Sequence, residues 1–407
     1  MVKSSKNESI YIIMVGLPAR GKSTIAQKLL ENLRRDRIKA RIFNNGDLRR
    51  KLSKENTSYA DFFNPDNTEG VALREKYALI NMNQAKRFLE RGGNVAILDA
   101  TNVSRRRRQA LEDLLGDQQI LYIECINTDE ETLNANIHRK VCHPEFVDLT
   151  HEDALDSFRQ RIRYYEKIYD PLETERNYVK LDTFHRRIIR EEVIDGFAHY
   201  SRIRDFLVTE TVKNLYLIRH PETTYNLENR IGGDPPLTPE GKKQAQDLAS
   251  FFQNKKLPLI FTSTLKRTIE AAEAIKGLQN DCTIIPLREF DEINAGICEE
   301  MTYREIRERL PEVAKSRKED KYSYTYPEGE GYASMEPRIE RGIKKTLYLT
   351  NHSDNIMIVG HQAVNRMILS HFVYRRQEDV PYIYIPQNKF YHIVVDQNKK
   401  LFVLKKF

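Results

Sequence analysis

The sequence predicts two α/β domains in tandem, residues 1–210 and 211–407, each a sheet covered by helices. Three observations carry this expectation. Short apolar runs alternate with long amphipathic stretches through the first half, a fresh strand–loop–helix pattern begins near residue 210, and 407 residues exceed what one ordinary core holds.

The elements follow in order. Ile10–Val15 is a compact β-rich run, met at once by a glycine-bearing loop and a helical pattern. Ala40–Phe43 reads as a second strand before Asn44-Asn45-Gly46. A helical pattern over Glu69–Arg91 stops at Gly92-Gly93, after which Asn94–Asp99 and Ile120–Ile126 read as buried strands. Helices are expected over 151–169 and 191–206. Strands alternating with helices in this way argue for a parallel sheet. In the second half Asn214–Arg219 is a strand running into His220, and Thr238-Pro239-Glu240 opens a helix with a capping hydroxyl and proline at the first helical position. Further strands are expected at Leu257–Thr262, Asn355–Val359 and Phe390–Val395. No low-complexity linker separates the halves, so direct packing between them is expected.

Composition narrows the class. Hydrophobic residues make up 40% and charged residues 31%, which suits a packed globular protein and argues against disorder. The formal charge of +7 could draw either nucleic acid or phosphorylated metabolites. No basic stripe interleaved with aromatics singles out the former, so no nucleic-acid partner is expected. Cys125, Cys142, Cys282 and Cys298 form no CxxC pair and read as reduced thiols. No apolar run approaches the roughly 18 residues that span a bilayer, and the apolar stretch before Gly16 is too short for a secretory leader. A cytoplasmic protein without a membrane partner is expected.

Gly16-Leu17-Pro18-Ala19-Arg20-Gly21-Lys22-Ser23 fits the P-loop pattern GxxxxGK[ST], between a strand and a helix as its mechanism requires. Backbone N–H groups of such a loop turn inward on nucleotide phosphates, and the helix that follows adds its positive end. Lys22 is placed to reach the β- and γ-phosphates, and Ser23 to hold Mg²⁺. Asp99 ends the strand Val95–Asp99, where P-loop proteins put an acid near the metal. Asp99-Ala100-Thr101-Asn102 sets a hydroxyl and an amide beside that acid, suited to steering an acceptor alcohol. The run Arg105-Arg106-Arg107-Arg108 is either a solvated helix face or a grip on an anionic acceptor.

A second constellation begins at Arg219-His220. Asn226, Arg230 and Gly232-Gly233 follow within one loop, then Thr262–Arg267, Asp291-Glu292 and Gly360-His361-Gln362. Two histidines at the ends of parallel strands converge at the carboxyl edge of a sheet. Such a site can take a phosphoryl group onto His220, with arginines and His361 holding its oxygens. Glu292 would then act as general acid and afterwards activate water. No metal is required there.

Together with Phe62-Phe63-Asn64-Pro65-Asp66-Asn67, Arg230–Asp234, Asp320-Lys321-Tyr322 and His361–Val364, these phrases resemble, in this order and over nearly the whole chain, the bifunctional 6-phosphofructo-2-kinase/fructose-2,6-bisphosphatase family. The resemblance implies a P-loop NTPase-type parallel sheet domain followed by a histidine-phosphatase (phosphoglycerate mutase-like) α/β domain. It implies ATP and Mg²⁺ held by Gly16 to Ser23, Thr24, Lys140 and Asp99, with fructose 6-phosphate held by Arg49, Arg74, Thr101, Arg107, Arg161 and Tyr165 and Asp99 also catalytic at the reacting centre. It implies fructose 2,6-bisphosphate at His220, Glu292 and His361, surrounded by Arg219, Asn226, Gly232, Arg267, Tyr303, Arg317, Lys321, Tyr332, Gln362 and Arg366. A homodimer is expected with it.

Three positions depart from the family pattern. Pro221 stands where the family has glycine, Thr325 where it has arginine, and Asn127 where it has a kinase-site cysteine. Proline lacks an N–H, so any backbone donation to phosphate at 221 is lost, and a kinase-biased enzyme with a weakened phosphatase is one outcome. Two other readings stand beside this one: a polynucleotide kinase/phosphatase, disfavoured by a histidine in place of an aspartate nucleophile, and a non-catalytic sensor of ATP and phosphosugar.

Overall fold

The computed structural model describes residues 9–407, except 54–55, 117, 197, 351–352, 374–375 and 397–398. It divides into two compact units, Met1–Thr209 and Glu210–Phe407. Among the described residues no helix is long and apolar enough to cross a membrane.

The first unit holds a six-stranded sheet. Its strands are β1 (Ile10–Val15), β2 (Ala40–Asn44), β3 (Val95–Asp99), β4 (Gln119–Ile126), β5 (Asn177–Asp182) and β6 (Arg187–Val193), in the order β2-β3-β1-β4-β5-β6. Neighbours β2, β3, β1, β4 and β5 run parallel. β1 is apolar at every position because both its faces are covered. Ile10, Ile12 and Met14 point into one core layer and Tyr11, Ile13 and Val15 into the other. β1 lies beside β3, so the loop after Val15 and the carboxylate of Asp99 emerge at the same sheet edge.

The expected helix over 191–206 is corrected. Arg187–Val193 is instead an antiparallel edge strand on β5, and the helix starts only at Tyr200. A tight turn makes the hairpin: Asp182 Oδ1 accepts from the N–H groups of Phe184 and His185, and Arg186 sits at φ 52°. Ile188 and Val193 then pack on the core from the strand's inner face. β5 itself had no sequence expectation. The long helix runs Thr68–Glu90, where Asn67 caps Gly70 N at 2.8 Å. The helix expected over 151–169 ends at Glu166.

The second unit holds β7 (Val212–Arg219), β8 (Leu259–Thr262), β9 (Thr283–Pro286), β10 (Asn355–Gly360), β11 (Lys389–Val395) and β12 (Lys400–Lys406), in the order β12-β11-β7-β10-β8-β9. β7, β10, β8 and β9 are parallel, and β11 and β12 antiparallel. Leu215 and Leu217 of β7 face one core layer, Tyr216 and Ile218 the other. The helix Pro239–Phe252 starts as expected, with Thr238 Oγ1 accepting from Gly241 N at 2.9 Å.

Register decides what meets at the sheet edge. Arg219 is opposite Gly360, and Val359 is opposite Thr262. The residues that follow, His220, His361 and Ser263, therefore leave three adjacent strands side by side.

Candidate functional site

In the first unit the loop after β1 curls into a glycine-bearing cradle. Gly16 lies at φ 134°, and a Cβ there would sit 2.5 Å from the carbonyl oxygen of Cys125, so only glycine lets the loop pass β4. Ala19 (φ 63°) and Gly21 (φ 86°) keep the chain curled. Asn136 Nδ2 donates to Ala19 O at 3.1 Å and Thr183 Oγ1 to Arg20 O at 2.9 Å, fixing the loop that runs on from Leu17 and Pro18. The helix Lys22–Arg35, which carries Thr24, starts from Gly21.

Lys22 is 8% exposed and its ammonium donates to Leu17 O at 2.7 Å. Burial pulls it down to about 8, against the opposing field of Asp99. Asp99 is buried, which raises its carboxyl, while a hydrogen bond from Ser23 and the charge of Lys22 pull it back. Asn44 Nδ2 also donates to Asp99 Oδ2 at 2.5 Å. A serine hydroxyl and a carboxylate touching beside a lysine ammonium form a donor set that fits a hard divalent cation on a phosphate chain. Lys140, on the helix Glu130–Val141, lies in the field of both Lys22 and Asp99.

Beside this cradle, four of the six residues expected at the acceptor gather round one aromatic ring. Arg161 Cζ lies 3.7 Å from the Phe63 ring centroid, Arg49 at 5.2 Å and Arg74 at 6.0 Å, and the Tyr165 ring is 6.2 Å away. Burial lowers Arg161 to about 10. Glu145 pairs with Arg49, and Arg74 donates to Phe62 O. Arg107 reaches Glu75 at 2.5 Å and also feels the Tyr165 hydroxyl. Thr101 is half-buried, and its carbonyl accepts from Gly16 N at 3.0 Å, tying the acceptor loop to the cradle.

The arginine run divides. Arg105 and Arg106 are exposed. Arg108 is buried, donating to Glu175 at 2.5 Å and to the carbonyls of Val103 (2.8 Å) and Asp170 (3.0 Å). It is a structural clamp behind the loop that carries Thr101. Asn127 donates to Thr132 Oγ1 at 3.1 Å inside the core.

In the second unit a cavity of about 180 Å³ opens at the edge where His220 and His361 meet. Arg219, Asn226, Gly232, Arg267, Glu292, Tyr303, Arg317, Lys321, Tyr332, Gln362 and Arg366 all line it with His220. His361 stands behind, its ring centroid 5.2 Å from that of His220.

The protonation of His220 follows from its partner. Nδ1 lies 2.7 Å from Pro221 O, and a carbonyl can only accept, so Nδ1 carries the hydrogen and Nε2 keeps its lone pair. Burial and the charges of Arg267 and Arg219 hold the ring well below the usual imidazole range. It is neutral at physiological pH. His361 is depressed for the same reasons, its Nε2 2.7 Å from Ser263 Oγ, and its buried Nδ1 has no partner among the described residues.

Glu292 is fixed by three backbone donors: Ile293 N at 3.0 Å, Gln362 N at 3.0 Å and Ala363 N at 3.2 Å. Its carboxylate faces the positive end of the helix Gln362–Val373. Arg267 is oriented by Gly233 O at 2.8 Å, Arg219 by Ile385 O at 3.1 Å, and Arg366 by the Tyr332 hydroxyl at 2.9 Å. The Arg317 guanidinium lies over Tyr303 and Tyr326. Lys321, lowered to about 8 by burial and by Arg317 and Arg366, donates to Pro381 O at 3.0 Å.

Sequence reasoning missed Phe63 as the hub of the arginines, although the motif holding it was visible. It also missed Glu145, Ser263 behind His361, and the cavity-lining Tyr225, Tyr324 and Tyr326. Gln387, which touches both His220 and Asn226, carried no motif at all.

The 6-phosphofructo-2-kinase family profile matches residues 1–216, and that of the histidine phosphatase superfamily (branch 1) matches residues 215–406. The 6-phosphofructo-2-kinase/fructose-2,6-bisphosphatase 4 of Rattus norvegicus is 38% identical over 368 residues, covering 87% of this chain and 76% of its own. The corresponding protein 1 of Rattus norvegicus is 36% identical over 372 residues, covering 88% and 76%. The solved alpha-ribazole phosphatase of Shigella flexneri is 26% identical, with a TM-score of 0.43 over 47% of this chain and 95% of that one.

Proposed function

The chain belongs to the bifunctional 6-phosphofructo-2-kinase/fructose-2,6-bisphosphatase family, and on that premise we propose how each unit carries one half of its chemistry. The protein is an enzyme that makes and hydrolyses fructose 2,6-bisphosphate. The first unit uses ATP and Mg²⁺. Gly16 to Thr24 and Lys140 would bind the nucleotide, and Ser23 with Asp99 would hold the metal, which would supply positive charge against the phosphates. Arg49, Arg74, Arg107, Arg161, Thr101 and Tyr165 grip fructose 6-phosphate. Its 2-hydroxyl oxygen bonds to the γ-phosphorus as the bond to the β-phosphate oxygen breaks, the hydroxyl proton passes to solvent, and ADP is released.

In the second unit Nε2 of His220 attacks the phosphorus of the 2-phosphate. The sugar oxygen leaves with a proton from Glu292, and water activated by the same carboxylate then cleaves the phosphohistidine to inorganic phosphate. Arg219, Arg267 and His361 hold the transferring oxygens. The remaining lining residues grip the sugar and its 6-phosphate. The observation that carries this reading is the neutral, Nδ1-protonated His220 facing a cavity rimmed by Arg219, Arg267, Arg317, Lys321 and Arg366. Family membership supports a homodimer acting on phosphosugars, with no nucleic-acid partner, and the four free cysteines fit a cytoplasmic setting.

The test measures both activities on one preparation. Synthesis from Mg·ATP and fructose 6-phosphate, together with hydrolysis through an acid-labile phosphoenzyme that His220→Ala removes, is the expected result. Hydrolysis that survives His220→Ala would overturn the phosphatase half, and synthesis that survives Lys22→Ala the kinase half.

A further inference from the structure

Asn226 lines the phosphatase cavity, and its side-chain amide can offer either an oxygen or an NH₂ to whatever binds there. The surrounding donors decide which. Asn226 Oδ1 accepts from Thr223 N at 3.0 Å, Thr223 Oγ1 at 3.0 Å and Gln387 Nε2 at 2.8 Å. With the oxygen turned onto three donors, the NH₂ is the end left for the cavity, and an NH₂ is what a phosphoryl oxygen needs. Gln387 lies 161 residues further along the chain, just before β11. Its same nitrogen lies 3.3 Å from the carbonyl oxygen of His220, so one amide ties the chain leaving β7 to the anion-facing asparagine. Pro221 makes this tie matter more. It supplies no N–H to an anion at the position after His220, so the site depends more heavily on its remaining donors.

We propose that Gln387 is a positioning residue of the phosphatase site, acting through Asn226 by locking its amide with the NH₂ toward the transferring phosphoryl group. This rests on the reading of His220 as nucleophile. Gln387→Met keeps the length of the side chain and removes the donor. Thr223 still holds Asn226 Oδ1, so the amide loosens without the site collapsing.

The experiment is a double-mutant cycle of Gln387→Met and Asn226→Ala, read by orthovanadate affinity and by kcat and KM for hydrolysis. Kinase rate is measured throughout on the same preparations. A hydrogen bond to a charged group is worth about tenfold, so Gln387→Met weakens vanadate binding and lowers hydrolytic kcat by up to about tenfold, with the kinase unchanged. In the Asn226→Ala background the same change adds nothing beyond about twofold, which a purely structural role would not produce. Multiplicative effects of the two changes, or a Gln387→Met enzyme within twofold of the parent, would overturn the proposal. Coupled vanadate binding in an enzyme whose hydrolysis ignores His220 would instead retain Gln387's role and overturn the mechanism it serves.

Discussion

Replacing Phe63 with leucine removes a ring and leaves an apolar side chain of similar bulk. Three arginines proposed to hold fructose 6-phosphate are set by that ring: Arg161 at 3.7 Å, Arg49 at 5.2 Å and Arg74 at 6.0 Å from its centroid. A guanidinium over an aromatic face gains about 0.5–1 kcal/mol when exposed and about 2 kcal/mol when desolvated. Arg49 is buried and Arg161 half-buried, so roughly 2–3 kcal/mol of orientation rests on the ring. About half of that reaching the substrate corresponds to a roughly tenfold rise in KM for fructose 6-phosphate. The same change in a packed core costs under about 1.5 kcal/mol of stability, so the fold survives. Initial rates with each substrate varied in turn separate the cases. The expected result is a raised KM for fructose 6-phosphate with kcat and the KM for ATP held within about twofold, the signature of lost uniform binding. An unchanged KM for fructose 6-phosphate, or an ATP KM rising in step, would show that the ring merely fills space.

Lys22→Ala is expected to cut synthesis by about 100-fold or more, the cost of one preorganised cationic donor, while hydrolysis in the second unit stays intact on the same sample. Arg108→Met leaves Glu175 as a buried, unpaired carboxylate. The loss is about 3–5 kcal/mol, which calorimetry should show as a lower melting temperature for the first unit only. His220 and His361 set a pH dependence whose sign is fixed by their lowered values. Below the ordinary imidazole value of about 6.5 the unfolded chain binds protons that the folded one refuses, so stability falls as pH falls, by about 1.4 kcal/mol per unit for each histidine. Denaturant midpoints in His361→Asn should lose part of that slope. Hydrolysis should pass through pH 6.5 without the drop that an ordinary histidine nucleophile would give.

The P-loop was legible because its pattern is local: glycines, a lysine and a serine stand in close succession between one strand and one helix. The histidine site was legible for a related reason. Apolar strands ended in Arg219-His220 and Gly360-His361, and parallel pairing of β7 with β10 at the Arg219–Gly360 register brings the two imidazoles together. What did not show in the sequence depends on long-range packing. Arg107 and Arg108 are adjacent and identical in type, yet one reaches a half-buried rim beside Tyr165 and the other a buried clamp on Glu175. Only the rotation of the helix Arg105–Leu115 against the loop at Asp170 separates them. The helix expected over 191–206 overlaps only the end of the edge strand Arg187–Val193, whose outward residues are largely charged. The hairpin turn that fixes it rests on the side chain of Asp182.

The departures at Pro221 and Thr325 bear differently on the phosphatase than the sequence alone implies. Proline removes an N–H, but the group at that residue which orients His220, the proposed nucleophile, is its carbonyl, which accepts from His220 Nδ1 and which every residue type supplies. Choosing the reactive nitrogen therefore does not depend on what stands at 221. What proline removes is the backbone N–H at that position. Thr325 is exposed, while its neighbours Tyr324 and Tyr326 line the cavity, so threonine there leaves the rim short of a charge without opening a void. Arg219, Arg267, Arg317, Lys321 and Arg366 remain around the site. On the proposed mechanism the nucleophile would be intact and the anion cage thinned, a combination expected to weaken substrate capture more than transfer. Restoring glycine at 221 should act on the phosphoryl step, and restoring arginine at 325 on KM, so the two repairs are separable in one set of kinetics.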